Sequence, residues 1–223
     1  GQGCLAIRHY LPEQQCLLLE NGGQMKLDEL LQQLARQSYL FQERLKPHAS
    51  LARLHPVLAS LRVVVLQKPE QPKLFRCLLR LPTGKNMVDN FSNGVTGNLL
   101  ASVDPASGTI EKVATGRGMQ WRWLEEHPDN GQSLIGLTVP DWEEARRLAV
   151  LGSRLFPRLR LQHWDIGLTE RGPVVLEVNV RGRMSGQQIL DGRPIRDSDL
   201  KEALRGRVSR VHKLWFALCC RGS

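Results

Sequence analysis

The chain lacks the marks of a secreted or membrane-spanning protein. None of its apolar runs approaches the ~18 consecutive residues that a spanning helix needs, and its first residues show no basic-then-apolar leader pattern. Its five cysteines, Cys4, Cys16, Cys77, Cys219 and Cys220, are odd in number, scattered and without CxxC spacing. Such usage indicates neither a disulfide framework nor a zinc site, and a reducing, cytoplasmic compartment is expected. Aromatic residues are scarce at 5%, and the arginines are spread from Arg8 to Arg221. A nucleic-acid module usually interleaves basic residues with aromatics, so that class is disfavoured. What remains is a chain of 223 residues, 41% hydrophobic and 24% charged, with a formal net charge of +9. This is the composition of one domain or two small lobes with a real core, burying roughly 70% of the unfolded surface. The positive balance admits nucleic acid, anionic lipid or a phosphate-bearing ligand, and composition alone does not choose among them.

Local patterns predict a mixed order of elements. CLLLENGGQMKL has apolar runs on both sides of Asn21-Gly22-Gly23, the signature of a tight hairpin. LDELLQQLARQ places Leu27, Leu30, Leu31 and Leu34 on one helical face, and YLFQERL reads as a short strand. LRVVVLQK and LFRCLLRL, separated by a linker with two prolines, read as an antiparallel pair. ASVDPASGTIEKV carries a turn at Asp104-Pro105 and Ser107-Gly108, and the Gly-rich stretch 114–139 reads mostly as loop. Asp141 and Glu144 suggest a capping box opening a helix that ends near Phe156-Pro157. Two strands, LQHWDIGLT and PVVLEVNV, follow, and a final helix starts near Ser198 with Leu200, Leu204, Val208, Val211 and Trp215 on one face. Hairpins interspersed with helices predict an α+β fold with antiparallel sheets rather than a doubly wound parallel one.

The segment Leu161 to Val180 carries the most chemistry. Alternation in PVVLEVNV turns Val174, Leu176, Val178 and Val180 one way and Glu177 and Asn179 the other. A loop at Glu170-Arg171-Gly172, with Gly172 left-handed, sets Asp165 opposite Glu177 and His163 opposite Asn179. Paired Cβ atoms lie about 4.5 to 5.5 Å apart, so two carboxylates there repel unless a cation sits between them. Oxygen donors from Asp165, Glu177 and Asn179 suit Mg2+; the alternative is a surface hairpin with an acidic outer face. His163 is left out of the metal set, because a lone histidine is more often packed than ligating.

Taken together, GQGC, YLFQERLKPH, SLRVVVL, VDNFSNG, EEHPDNGQSLIGLTVPDW and HWDIGLTERGPVVLEVN resemble the sugar-transfer-associated ATP-grasp family, related to the alpha-L-glutamate ligases. The resemblance implies an ATP-grasp fold, here its C-terminal part, with antiparallel sheets and packed helices. It implies ATP and Mg2+ as cofactors, with Asp165, Glu177 and Asn179 holding the metal. Arg62 takes the place of a phosphate- or acyl-phosphate-binding arginine, and Arg80 and Asn90 fall on the acceptor side. Gln42 and Glu43 match the adenine-contacting segment, and Gly1 and Gly3 match the tail of the Gly-rich phosphate loop. The implied reaction is ATP-dependent ligation of a small-molecule carboxylate to an amine through an acyl phosphate, beside sugar-transfer or cell-envelope pathways. On this reading 1–45 is the remnant of a small nucleotide-clamping lobe and 46–223 the magnesium-binding lobe with a C-terminal helix. The family's N-terminal lobe and nucleotide-binding lysine are not found in the chain. The alternatives are a noncatalytic remnant of such an enzyme or a basic nucleic-acid-binding domain.

Overall fold

In the structure, a computed structural model, the described residues are 6–19, 22–36, 41–68, 71–192 and 198–205. They fall in two units, Gly1–Leu45 and Lys46–Ser223. The smaller unit is a three-stranded antiparallel sheet in the order β1-β2-β3, with β1 Ile7–Leu11, β2 Cys16–Leu19 and β3 Gln24–Lys26, followed by helix α1, Leu27–Arg36. The expected hairpin forms: Gly22 adopts φ 83° and donates to Leu19 O at 3.1 Å, and Leu19 N donates to Gly23 O at 2.9 Å. The strand expected at YLFQERL does not form over its described part, Tyr39 and Leu40 lying outside the described residues. Residues 41–46 adopt no regular structure, and Phe41 is 69% exposed. A strand needs both a ladder partner and a face to bury, and the run Gln42-Glu43-Arg44 supplies nothing to bury.

The larger unit is built on a seven-stranded, wholly antiparallel sheet in the order β10-β9-β4-β5-β6-β7-β8. Its strands are β4 Ser60–Leu66, β5 Lys73–Leu81, β6 Leu99–Val103, β7 Ile110–Arg117, β8 Gln120–Leu124, β9 Leu161–Thr169 and β10 Gly172–Asn179. The helices are α2 Ala49–Ala52, α3 Trp142–Ser153, α4 Ser185–Asp191 and α5 Ser198–Arg205. The period-2 alternation of the strands separates two faces. On one, Leu61, Val63, Val65, Leu79, Leu81, Leu99, Ala101, Trp164, Ile166 and Leu168 form a continuous core with Ala145 and Ala149 of α3. Burial of each large side chain there contributes roughly 1.5–3 kcal/mol. On the other face, Leu190 of α4 covers Leu78, Leu100 and Ala114, and Leu200 and Ala203 of α5 cover Leu66.

Three sequence expectations need correction here. The stretch 114–139 is mostly loop, as expected, but its first part is not: the end of β7 and all of β8 form a hairpin there, and no named element lies between Leu124 and Trp142. Of its glycines, Gly116 marks close backbone approach, since a Cβ there would stand 2.1 Å from Gln120 O and one on Gly94 would stand 1.7 Å from Gly116 O, whereas Gly118 and Gly136 are turn residues at φ 62° and 82°. The capping box does not form. Asp141 precedes α3 with φ 51° and makes no side-chain cap bond. The helix also stops at Ser153 rather than near Phe156, because Gln162 Nε2 donates to the carbonyls of Ser153, Phe156 and Leu159 at 2.9–3.1 Å. These carbonyls have no i+4 partner within the helix, and Pro157 has no N–H to offer Ser153 O, so the Gln162 amide satisfies them from outside.

The third correction concerns the β9–β10 hairpin. Its turn has two residues, Glu170 and Arg171, because Gly172, at φ 97°, already pairs with Thr169. A bulge between Val175 and Glu177 adds back the residue the turn lacks, so Asp165 still pairs with Glu177 and His163 with Asn179. The bulge breaks the expected valine row: Val178 packs on the core, whereas Val174 and Leu176 are exposed.

Candidate functional site

The polar end of the second face is assembled by strand register. Ser60, Arg62 and Val64 alternate onto this second face of β4, and their ladder partners fix the neighbourhood. Ser60 lies opposite Arg80 of β5, and Arg62 lies opposite Asp165 of β9, which in turn lies opposite Glu177 of β10. One row across three strands therefore reads Arg62, Asp165, Glu177. The next reads Val64, His163, Asn179.

Side chains close this arrangement into a network. Arg62 donates from Nε to Asp165 Oδ1 at 2.8 Å and from Nη2 to Oδ2 at 2.6 Å, a bidentate pair, while Arg80 Nη2 stands 3.2 Å from the same Oδ2. Arg80 also donates to Ser60 Oγ from Nε at 3.0 Å and from Nη2 at 2.6 Å. The Ser60 hydroxyl donates to Asp89 Oδ2, which lies 3.6 Å from Arg80 Nε. On β10, Asn179 Nδ2 donates to Glu177 Oε1 at 2.8 Å. Burial alone would raise Asp165, but the Arg62 hydrogen bonds and the charges of Arg80 and Arg62 outweigh it and hold the carboxyl below its ordinary value. The hydrogen bond to Asp165 raises Arg62 despite burial. Asp89 moves the other way: burial lifts it, and Arg80 and Ser60 offset only part of the rise.

His163 is fully buried, and neither ring nitrogen has a hydrogen-bond partner among the described residues. Gly182 covers it so closely that a Cβ there would stand 2.2 Å from the ring. Burial first, and the Arg62 charge second, push its pKa down to about 4. The imidazole is therefore neutral at neutral pH.

Asp89 and Ser60 are functional candidates that sequence reasoning missed. Asp89 sits in the segment 82–98, which is held by Asn98, itself fully buried. Asn98 Oδ1 accepts from Thr83 N at 3.0 Å and Asn86 Nδ2 at 2.7 Å, and Asn98 Nδ2 donates to the carbonyls of Val88 at 2.8 Å and Asn90 at 2.9 Å. The Phe91–Trp121 stack, with ring centroids 5.4 Å apart, ties the same segment to β8. Asn90 is exposed and takes part through its backbone carbonyl, while the carboxylate beside it reaches the arginines. The signal was present in the motif VDNFSNG, but only the pairing of β4 with β5 and β9 reveals which residue of it faces Arg80.

The residues chosen from sequence thus separate into groups. Arg62, Arg80, Asp165, Glu177 and Asn179 share one face and one neighbourhood. Gln42 and Glu43 are exposed in the smaller unit. Gly1 and Gly3 lie outside the described residues.

The family profile of sugar-transfer associated ATP-grasp proteins matches residues 18–202. The chain belongs to that family. Neither a curated protein nor a solved structure is matched by it. Family membership accounts for the α+β architecture of antiparallel sheets, and it brings ATP-dependent, ligase-like chemistry on small molecules with use of a divalent metal in general. Among the described residues no group of three or more His, Cys, Asp and Glu gathers as a metal set, and no helix is long and apolar enough to cross a membrane. The oxygen cluster of this ATP-grasp chain is instead two carboxylates and one amide. Glu177 is exposed, and Asn179 spends its N–H on Glu177, which leaves its carbonyl oxygen to coordinate. Hard oxygen donors of this kind fit Mg2+, although Asp165 stands in the guanidinium pair.

Proposed function

We propose that the chain is the magnesium- and phosphate-binding part of an ATP-dependent carboxylate–amine ligase that works through an acyl phosphate. The observation that carries this reading is the row Arg62–Asp165–Glu177, with Arg80 and Asn179 beside it, on one face of the sheet. Asp165, Glu177 and Asn179 would hold Mg2+, which when bound neutralises phosphate charge as a Lewis acid. Arg62 and Arg80 offer planar donors to the oxygens of the group being transferred. A carboxylate oxygen of the substrate attacks the γ-phosphorus, the bond to ADP breaks, and the acyl phosphate results. The amine nitrogen then attacks the acyl carbon, phosphate leaves, and the amine loses a proton. The chain's residues contribute positioning and electrostatic stabilisation to these steps, and no covalent enzyme nucleophile is required. In keeping with that, Cys16 and Cys77 are buried, and burial pushes the Cys77 thiol up and out of nucleophilic range.

Gln42 and Glu43 are proposed as nucleotide contacts, with Gly1 and Gly3 at the phosphate loop, and Asn90 on the acceptor side. The carboxylate is proposed to come from a sugar-transfer or cell-envelope pathway. The reading is tested by melting the protein with and without magnesium-ATP. A ligand at about 100 times its Kd stabilises the native state by roughly 2.7 kcal/mol, and Glu177→Gln should remove most of that gain. A nucleotide effect of equal size in the Glu177→Gln variant would refute the metal assignment.

A further inference from the structure

Resting on that reading, the carboxylate that would hold the metal is already occupied: both oxygens of Asp165 are engaged. Arg62 takes Oδ1 at 2.8 Å and Oδ2 at 2.6 Å, and Arg80 Nη2 lies 3.2 Å from Oδ2. A carboxylate has about four lone-pair sites; Arg62 takes one on each oxygen, Arg80 crowds a second on Oδ2, and a metal ion arriving there is repelled by both guanidinium groups. The two arginines are nevertheless held differently. Arg80 has its own acceptor in Ser60 Oγ, at 3.0 and 2.6 Å, and Ser60 is braced by Asp89, which Arg80 Nε approaches to 3.6 Å. Its side chain is 9% exposed, against 23% for Arg62. Both hydrogen bonds of Arg62 end on Asp165.

We propose that Ser60 and Asp89 are positioning residues that keep Arg80 as a fixed arm, while Arg62 is an exchangeable arm that Asp165 releases when it turns to a divalent cation. Metal binding and oxyanion binding are thereby linked through one carboxylate. Before the cation arrives, Asp165 neutralises Arg62. Afterwards the Arg62 guanidinium faces the site with its donors open, and Arg80 has not moved, because Ser60 and Asp89 still hold it. Asn98 acts one step further back by fixing the segment that presents Asp89.

The experiment is phenylglyoxal labelling of the whole chain with Mg2+ alone, at matched ionic strength, with Arg62 and Arg80 read separately by peptide mass mapping. Binding of Mg2+ is followed by calorimetry on the same sample. Saturating Mg2+ should speed Arg62 labelling several-fold and leave Arg80 slow. Asp165→Asn should make Arg62 fast without metal and abolish its response. Ser60→Ala and Asp89→Asn should speed Arg80 labelling while the metal response of Arg62 persists, and Ser60→Thr, which keeps the hydroxyl, should restore slow labelling. Calorimetric Mg2+ binding with Arg62 labelling unchanged overturns the exchange and leaves the metal reading standing. No Mg2+ binding overturns both. Arg80 labelling indifferent to Ser60→Ala and Asp89→Asn overturns the fixed arm.

Discussion

The two faces of the seven-stranded sheet solve opposite problems with the same strands. On one face β4 contributes Leu61, Val63 and Val65, each fully buried under a continuous apolar core. On the other the same strand contributes Ser60 and Arg62, which meet Asp89, Arg80 and Asp165. The first face is non-directional and tolerant of any well-fitting hydrocarbon. The second is a set of partly buried charges whose stability depends on every partner being present, because a lone buried ion is far worse than a pair. The continuous apolar core therefore lies on one side and the charge network on the other, and substitutions on the two sides should fail in different ways.

The largest expected effect is on the polar face. Asp165→Ala leaves Arg62 and Arg80 without their shared counter-ion and should destabilise by roughly 3–5 kcal/mol in urea denaturation. It should also remove the stabilisation by magnesium-ATP. Leu79→Ala, at a fully buried position of the apolar face, should cost about 2–5 kcal/mol. Its nucleotide response, measured where the variant is folded, should be unchanged; a lost response would show that the faces are not separable.

His163 sharpens the comparison through pH. Its ring titrates near 4 when folded, against 6.5 ordinarily. Between those values the unfolded chain binds the extra proton, so stability rises with pH through the window and falls on acidification. The whole interval is worth on the order of 3 kcal/mol at most. Melting midpoints between pH 4 and 7 should therefore show a steeper acid decline for the wild type than for His163→Asn. A smaller loss is expected from Asn98→Ala, about 1–3 kcal/mol for the buried groups left unpaired. It should weaken nucleotide-dependent stabilisation only by loosening Asp89, and a melting curve with and without magnesium-ATP separates the two.

Local signals carried most of the fold. The Asn21-Gly22-Gly23 hairpin, the β4–β5 pair and the two strands around Glu170 follow from alternation and turn residues that act over a few positions. The pairing of Asp165 with Glu177 was legible for the same reason, although the residue count was met by a two-residue turn and a bulge rather than a longer loop. What sequence could not supply was the neighbour across a long connection. Arg62 faces Asp165, 103 positions away, and Ser60 meets Asp89, 29 positions away. No periodicity encodes such pairings, so Asp89 passed unnoticed beside Asn90. Residues 114–124 were misread because glycine has two uses: turn formation, and close approach of backbones such as Gly94 to Gly116.

The most direct measurement is paramagnetic broadening by Mn2+ in the presence of nucleotide, read on the backbone amides of the chain. Broadening centred on Asp165, Glu177 and Asn179 is the predicted result. Broadening centred instead on Asp141, Glu143 and Glu144, which line an open depression at the start of α3, or spread evenly over acidic surface residues, would contradict it.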